Sequence, residues 1–286
     1  MTTVFLATFQ LMPTGEPGGD LIAPLAARGI EARWVRWDDP DVRWGDADLV
    51  AVRSTWDYHR RWPEFRAWTR RVAAETTVLN GGLIEWNADK SYLRLLAEQV
   101  PTLPTELLDD SALLTVLADS LDRWGEVVVK PRIGAGGLGV VPLGSVEDER
   151  LIGLLPGPWI VQPLVDRIRT LGERSLFVLG DEVVAQVDKV PGEGEVRVHE
   201  QHGGRSAQVP VQPESAALAL AAVAAVESLT GTRPAYARAD LMPWNGGWVL
   251  SELELIEPGL YLDVVPTNAE RFADLVARVC QELGNA

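Results

Sequence analysis

The sequence has 286 residues, of which 47% are hydrophobic and 23% charged, as is typical of a soluble globular protein with two or three lobes. Its formal net charge of −15 argues against a nucleic-acid partner, because phosphate backbones are bound by clustered lysine and arginine. No apolar run is long enough to span a membrane, so no membrane partner is expected. The single cysteine, Cys280, excludes an internal disulfide, and the N-terminus lacks a basic region ahead of an apolar core. We therefore expect a cytoplasmic protein.

The N-terminal part alternates between strand-like and helix-like stretches. Residues 3–8, 30–37 and 48–52 predict three strands, and residues 21–28 predict a helix. This β-α-β-β order indicates a Rossmann-like domain that lacks the usual glycine fingerprint. Ligands of open α/β sheets lie beyond the carboxyl ends of the strands, so the loop 10–20 and the residues after the third strand are candidate binding segments.

Two charged residues follow the third strand. Arg53 is placed to hold a substrate carboxylate with two hydrogen bonds, and Asp57 lies close to it in sequence. A structural ion pair between Arg53 and Asp57 is the alternative. His59 is predicted to be exposed.

The next segment predicts the helices 62–75 and 111–124, with a short strand at 76–79 between them. Asn87 is the predicted N-cap of a further helix, with Lys90 in its first turn. The helix dipole disfavours a cation there unless an anion lies nearby, which suggests a phosphate partner.

A glycine-rich stretch at 126–141 is the centre of the predicted site. Three valines predict a buried strand that ends at Lys130. The four glycines of the following loop are Gly134, Gly136, Gly137 and Gly139. Such a loop leaves N–H groups open to a phosphate chain, and a second extended run follows it. Strand, loop and strand together predict a flap over a nucleotide, with Lys130 beneath it.

Two other interpretations of this stretch were considered. A simple glycine-rich hairpin turn stays open, since glycines mark turns more often than ligand sites. The G-x-G-x-x-G spacing also matches a dinucleotide fingerprint, but that motif needs a strand running into the first glycine, a helix after the last and an acid about 20 residues on. None of these features is present.

Lysine is rare in this chain. Only three of the 26 basic residues are lysines, namely Lys90, Lys130 and Lys189. Lysine supplies a compact point charge on a flexible stem, a role that arginine does not fill. Together with Arg197 and Arg238 they are candidates for neutralising phosphate charge in an acidic protein.

The C-terminal part predicts a hairpin between two helices. The helices are an alanine-rich one at 214–229 and a final one that begins at Thr267 and carries Cys280 as a buried small residue. Residues 235–242 and 248–255 predict the two strands of the hairpin, joined at Asn245-Gly246.

The hairpin register decides whether its acids converge. A strict two-residue turn would set Asp240 opposite Ser251 and separate Asp240 from Glu252 and Glu254. We therefore predict a longer loop or a bulge that brings Asp240 opposite Glu252 or Leu250, so that three carboxylates serve as Mg²⁺ ligands. A solvated acidic strand edge is the alternative.

Several motifs occur in an order known from one superfamily. They are N-x-D-K at 87–90, V-P-T-L-P-T at 100–105, V-V-V-K-P at 127–131, W-I-V-Q-P-L-V at 159–165, G-E-R-S at 172–175, K-V-P at 189–191 and G-x-x-R-V-H at 194–199. This series resembles the ATP-grasp superfamily, whose members activate carboxylates with ATP. Within it, R-S-T-W-D-Y at 53–58, G-G at 203–204 and S-E-L-E-L-I-E-P at 251–258 are similar to the group of D-cycloserine ligase and glutathione-synthetase-like enzymes. Glu254 departs from the pattern, since related members carry asparagine there.

The resemblance implies roles for individual residues. ATP contacts are implied for Lys90, Lys130, Gly134, Gly136, Gly137, Gly139, Gln162, the Leu164 backbone and Glu173. Metal binding is implied for Asp240, Glu252 and Glu254, catalysis for Arg238, Lys189, Arg197 and His199, and substrate binding for Arg53, Asp57 and Glu257. His199 is either a helper in amine deprotonation or a hydrogen-bonded structural histidine. The implied cofactors are ATP and Mg²⁺, with Mn²⁺ as an alternative ion.

The resemblance also implies an ATP-grasp fold of α/β lobes behind a Rossmann-like domain. The expected division is a substrate domain at 1–88, a small lobe with the flap at 89–163 and a large lobe with the metal site at 164–286. The expected activity is ADP-forming ligation of a small carboxylate to an amine through an acylphosphate, in specialised metabolism such as antibiotic biosynthesis. A phosphotransferase and a non-catalytic nucleotide-binding protein are the alternatives, and homodimer formation stays open.

Overall fold

The computed structural model describes residues 2–154 and 157–284. The fold is α/β, as predicted, with three sheets that follow one another along the chain. The first sheet and its helices comprise β1 (Thr2–Thr8), α1 (Ile22–Ala26), β2 (Ile30–Arg36), β3 (Leu49–Ser54), α2 (Trp62–Glu75) and β4 (Thr77–Val78). Its strands are parallel in the order β2-β1-β3-β4, which confirms the Rossmann-like opening.

The second sheet is antiparallel and contains the glycine loop. Its elements are α3 (Ile84–Ala88), α4 (Tyr92–Leu96), β5 (Glu106–Leu108), α5 (Leu113–Trp124), β6 (Val127–Pro131), β7 (Val141–Leu143) and β8 (Trp159–Pro163). The strand order is β5-β8-β6-β7. Since β6 and β7 pair antiparallel on either side of the loop, the predicted strand, loop and strand are confirmed.

The third sheet is the largest and forms the floor of the site. Its elements are α6 (Ile168–Leu171), β9 (Glu173–Leu179), β10 (Glu182–Val190), β11 (Arg205–Val209), α7 (Pro213–Thr230), β12 (Tyr236–Trp244), β13 (Gly247–Glu254) and α8 (Thr267–Gly284). The five strands are antiparallel in the order β11-β10-β9-β12-β13. The apolar side of α7 packs beneath β9, β12 and β13, with buried alanines that allow a close approach.

The C-terminal helix α8 joins the first and third sheets. Its apolar residues Phe272, Leu275 and Val276 are buried in one core with Leu6 of β1 and Phe177 of β9. Cys280 packs partly buried at the edge of this core. None of the helices in the described residues has the length and apolar character needed to cross a membrane.

The prediction that Asn87 is a helix N-cap is wrong. Asn87 lies inside α3, where its side chain donates to Leu253 O at 2.7 Å and accepts from Leu255 N at 2.8 Å. Its amide thus satisfies the backbone at the end of β13 rather than the start of a helix. Lys90 consequently precedes α4 and does not lie in a first helical turn.

The proline-rich linker after α4 pairs with the third sheet. Leu103 N donates to Leu250 O at 2.8 Å, and Leu250 N donates to Pro101 O at 2.9 Å. The linker therefore covers the edge of β13 and fixes the second sheet relative to the floor.

Candidate active site

A cavity of about 540 Å³ lies where the three sheets meet. Most of the predicted site residues line it, namely Lys90, Lys130, Gly134, Gly136, Gly137, Gln162, Leu164, Glu173, Arg197, His199, Arg238, Glu252, Glu254 and Glu257. Five predicted residues are absent from its walls, namely Arg53, Asp57, Gly139, Lys189 and Asp240. The sequence motifs thus converge on one cavity, with some of their charges behind its walls.

Two side chains hold the glycine loop over the cavity by hydrogen bonds to its backbone carbonyls. Lys90 Nζ donates to Gly134 O at 2.8 Å, and Gln201 Nε2 donates to Gly136 O at 2.8 Å. Gly137 has a φ of +67°, and a Cβ there would lie 3.2 Å from the His199 ring. Only glycine combines this backbone conformation with so close an approach.

Two lysines lie beneath the loop, Lys90 buried and Lys130 partly buried. Lys90 Nζ is 3.1 Å from Glu252 Oε1, and the Lys90 side chain is only 8% exposed. Burial lowers the pKa of Lys130, Glu252 works against this shift, and the charge of Lys90 adds to it. Two cations near one carboxylate make this part of the cavity locally positive, which is the electrostatic requirement for binding a phosphate chain.

The carboxylates on the floor are each engaged by a cation. Asp240 accepts from Ser175 Oγ, from Arg238 Nη2 at 2.8 Å and from Lys189 Nζ at 3.5 Å. Although burial works in the other direction, Arg238 and Lys189 hold the pKa of Asp240 well below its usual range. Lys189 also pairs with Glu173. Lys189 and Asp240 therefore lie in the floor, covered by the side chains that line the cavity, and they position those side chains.

Glu254 differs from the other floor carboxylates. Its Oε1 lies 2.5 Å from Arg238 Nη2. Burial nevertheless raises the pKa of Glu254 to about 7; Arg238 works against this shift, and the carboxylates of Asp240 and Glu252 add to it. A bound cation at this position would relieve the repulsion among the three carboxylates.

The carboxylate oxygens of the cavity are suitable ligands for a hard divalent ion, but they do not form a complete metal site. Glu252 and Glu254 reach the cavity, whereas Asp240 lies behind it. Within residues 2–154 and 157–284, no group of three or more histidine, cysteine, aspartate or glutamate side chains is arranged to hold a metal. Carboxylate oxygens are the ligands that Mg²⁺ prefers, and Mg²⁺ is commonly bound by one or two carboxylates together with substrate phosphates. The donor chemistry fits Mg²⁺ on that basis.

The strand β8 and its neighbours form a mostly apolar slot. Gln162 Nε2 donates to Thr105 Oγ1 at 2.9 Å, and Val128, Leu103 and Met242 line the slot. The backbone N–H of Leu164 donates to Glu126 O at 2.9 Å. The Leu164 N–H, implied by the resemblance as part of an ATP contact, is therefore already engaged within the fold.

His199 lies under the flap and is neutral. Burial and the cations Lys189 and Arg238 lower the pKa of His199 to about 4. Its Nδ1 is buried and has no partner among the described residues. Arg197 lies beside it and is held by Glu195 at 2.5 Å.

The predicted role of Arg53 does not agree with its place in the fold. Its side chain is fully buried, donates to Pro258 O at 2.6 Å and pairs with Glu16 at 3.3 Å. Asp57 instead accepts from Trp37 Nε1 at 2.9 Å, so the alternative Arg53–Asp57 pair is not formed either. The guanidinium lies 4.8 Å from the Phe272 ring, because the residues after β13 and α8 cover the end of β3. Arg53 therefore holds the cavity wall and does not reach the cavity.

Several cavity residues were missed from the sequence. They are Phe9, Tyr92, Gln201, Gly259 and Tyr261, whereas Met12, Glu16, Trp56 and Tyr58 lie in the two predicted binding segments without having been singled out. His59, predicted to be exposed, is half-buried in the same wall. The only available signal for Glu16 was its position in the loop after β1, where ligands of α/β sheets bind.

Comparison with known proteins agrees with this geometry. Residues 4–80 match the family described as the N-terminal domain of D-cycloserine synthetase DcsG, and residues 88–255 match the RimK-like ATP-grasp domain. The chain is 30% identical over 266 residues to the cycloserine biosynthesis protein DcsG of Streptomyces lavendulae, covering 87% of this chain and 89% of that protein. It is 25% identical to a glutathione synthetase of Mesorhizobium japonicum, over 56% of this chain and 52% of the relative.

Solved structures extend the likeness to the whole fold. The crystal structure of D-cycloserine synthetase DcsG superimposes with a TM-score of 0.87 at 27% identity, covering 97% of this chain and 99% of that one. D-alanine–D-alanine ligase from Bacillus anthracis shares the fold at 14% identity, with a TM-score of 0.66 and 99% of each chain covered. The chain therefore belongs to the RimK-like ATP-grasp family of ATP-dependent ligases.

Proposed function

We propose that this enzyme joins a carboxylate to an amine through an acylphosphate, releasing ADP and phosphate. The observation that carries the proposal is the pair of lysines, Lys90 and Lys130, beneath a glycine loop and near Glu252 in one cavity. Local positive charge next to carboxylate ligands suits the phosphates of ATP with their metal ion.

Different residues serve different parts of the phosphoryl transfer. Lys90 and Lys130 neutralise phosphate charge, and the loop that Lys90 and Gln201 hold excludes water. Arg238 faces the cavity from β12, and its Nη1 would lie 4.0 Å from a Cβ on Gly259 in the loop after β13, so we assign it to the acid that receives the phosphoryl group. Gln162 and the apolar slot are assigned to adenine, with Glu173 at its edge.

Mg²⁺, when bound with ATP, would supply neutralisation of the phosphate charge. Glu252 and Glu254 would hold it from the cavity side, and Asp240 behind them would complete the ligand set if Lys189 and Arg238 release it. Mn²⁺ prefers the same oxygen donors and is proposed as an alternative ion.

Substrates of amino-acid size fit the remaining space. The cavity of about 540 Å³ must hold the triphosphate end of ATP as well as the acid and the amine. D-cycloserine synthetase and glutathione synthetase are named for small amino-acid-derived products. We therefore propose small carboxylate and amine substrates in specialised metabolism, and a cytoplasmic enzyme, where ATP is available.

The three sheets support the division at 1–88, 89–163 and 164–286. They lie within residues 2–78, 106–163 and 173–254. The first part would supply the substrate walls, the second the ATP cover and the third the charged floor.

Isotope transfer tests the acylphosphate. With the acid labelled with ¹⁸O in its carboxylate, one label atom is expected in inorganic phosphate and none in AMP or pyrophosphate. Label in AMP would indicate adenylation and contradict the proposal. A phosphorylated acid that accumulates without amide product would identify a phosphotransferase instead.

A further inference from the structure

The loop that follows β13 holds a carboxyl group that the proposed phosphoryl transfer does not use. Glu257 is 8% exposed and lines the cavity. Among the described residues, no hydrogen bond or ion pair is formed by its carboxyl, unlike those of Glu252 and Glu254. A buried carboxyl that faces a cavity without a partner is an expensive feature unless a ligand completes it.

This loop is held by side chains from the first and third sheets. Trp56 Nε1 donates to Glu257 O at 3.1 Å, Arg53 Nη2 donates to Pro258 O at 2.6 Å, and Tyr236 Oη donates to Ile256 O at 2.6 Å. Three side chains thus fix three successive carbonyl groups. The Glu257 side chain therefore projects from a backbone that is positioned before any ligand binds.

The cavity is lined by groups of both charges. Lys90, Lys130 and Arg197 line it together with the flap, and the carboxyl groups of Glu16 and Glu257 line it around Gly259, in a part called here the acidic end. A Cβ on Gly259 would lie 3.6 Å from the Trp56 ring, 3.7 Å from Glu16 Oε2 and 4.0 Å from Arg238 Nη1. The acidic end therefore lies next to Arg238, the residue assigned to the acid substrate.

The walls of the acidic end suit an ammonium group. Trp56, Tyr58 and Tyr261 line the same cavity, and aromatic faces attract cations. Glu16 is already engaged, because it pairs with Arg53 and accepts from Leu260 N at 2.5 Å. Glu257 is therefore the buried carboxyl that is left for a ligand, whereas Asp263, which also lines the cavity, is exposed.

We propose that Glu257 binds the ammonium group of the amine substrate and accepts one proton from it, which frees the nitrogen for attack on the acylphosphate. The nitrogen lone pair then forms the C–N bond, and the C–O bond to phosphate breaks with its electrons leaving on phosphate. The second proton that the nitrogen loses passes to the departing phosphate. This inference rests on the proposed ligase function and assigns its second half-reaction.

Of the two candidate proton acceptors, Glu257 and His199, Glu257 has the more suitable pKa. Burial, with the charge of Glu254, raises the pKa of Glu257 to about 8, close to that of an amine. The pKa of His199 is lowered to about 4, and His199 lies under the flap at the phosphate end. The charged or titratable groups that face Glu257 are Glu252, Glu254, Lys90, Arg238 and Tyr58.

Hydroxylamine separates the two half-reactions. Hydroxylamine is uncharged at neutral pH and traps an acylphosphate as a hydroxamate without needing a base. The full chain is assayed with the twenty standard L-amino acids and their D-enantiomers as acids, with hydroxylamine or each of the same compounds as nucleophile. Hydroxamate, amide and ADP are measured for each pair.

Glu257→Gln should keep hydroxamate formation within about threefold of wild type and reduce amide formation roughly 100-fold or more. Retained hydroxamate formation would also establish that the variant is folded. Glu257→Asp, which keeps a carboxylate, should recover part of the amide formation. Glu16→Gln is the matched control for a buried carboxyl in the same wall, and it should change both products by the same factor.

Three outcomes would overturn the inference. Equal loss of hydroxamate and amide in Glu257→Gln would make Glu257 a residue of the first half-reaction or of the fold. If Glu16→Gln lost only amide formation while Glu257→Gln lost neither product, the proton acceptor would be Glu16. Absence of hydroxamate and ADP in wild type with every acid would contradict the proposed function itself, and with it this assignment.

Discussion

Asp240 lies directly opposite Glu252 across the hairpin of β12 and β13, although Asn245 and Gly246 form a strict two-residue turn. The register runs from Trp244 opposite Gly247 to Leu241 opposite Leu250 and then shifts by one residue. Ser251 is the extra residue of this bulge, and its Oγ donates to Asp240 O at 2.9 Å. The predicted bulge is therefore confirmed, and it places both acids on one face of the sheet.

Glu252→Gln tests the function of this face. The variant keeps the shape of the side chain but loses the charge next to Lys90 and the hard ligand for Mg²⁺. We expect ADP formation to fall roughly 100- to 1,000-fold with the fold intact, and raised Mg²⁺ to restore part of it. The matched control is Glu85→Gln, which removes a carboxylate bound by surface arginines and should leave turnover unchanged. Normal turnover in Glu252→Gln would remove Glu252 from the metal site.

Arg53→Lys should affect stability rather than substrate binding. Lysine keeps the charge but cannot reproduce the planar guanidinium that reaches both Glu16 and Pro258 O. The free energy of unfolding should fall by roughly 1 to 3 kcal/mol, with the substrate KM of the folded enzyme unchanged. Arg43→Lys provides a control at a side chain that is 84% exposed. A large rise in substrate KM without loss of stability would return Arg53 to the substrate site.

The close approach of the flap to His199 makes Gly137→Ala informative. An alanine at a φ of +67° costs about 1 to 2 kcal/mol, and its Cβ would also press on the His199 ring at 3.2 Å. We expect the KM for ATP to rise roughly tenfold. Gly231→Ala has a similar φ of +71° at the end of α7 with nothing within 4 Å of its Cβ, so it should lose stability without changing the KM for ATP. Equal KM values in the two variants would show that the flap does not close over ATP as proposed.

His199 makes stability depend on pH. Its pKa is about 4 when folded, below the ordinary value of 6.5, so the unfolded chain binds the proton more readily. This contribution to stability is complete above pH 6.5 and is lost as the pH falls towards 4, with a slope of up to about 1.4 kcal/mol per pH unit. Denaturant unfolding between pH 4 and 7 should give a smaller slope for His199→Gln than for wild type. An identical slope would mean that His199 is not held neutral by its surroundings.

The sequence determined the elements and the family. Alternating and helical apolar patterns gave the strands of the first sheet and α2 to within a few residues, because each pattern is fixed by local backbone geometry. The glycine loop between two strands and the two lysines assigned to phosphate were also predictable, since their residue types and spacing are local. The need for a bulge at Asp240 followed from counting residues across the hairpin.

Only the tertiary structure decided which charges reach the cavity. Arg53, Lys189 and Lys90 are all basic residues, and the sequence does not distinguish them. In the fold, α8 and the loop after β13 bury Arg53, and the floor carboxylates surround Lys189, so neither residue lines the cavity. The sequence predicted Asn87 as a helix cap because asparagine usually caps the helix that follows it in the chain. Its actual partners are backbone groups at the end of β13, more than 160 residues away. Glu16, Trp56 and Glu257 meet across the first and third sheets, and no local pattern encodes that meeting. Burial and long-range pairing depend on how the sheets pack, and this packing sets both the electrostatics of the cavity and the position of its unpartnered carboxyl.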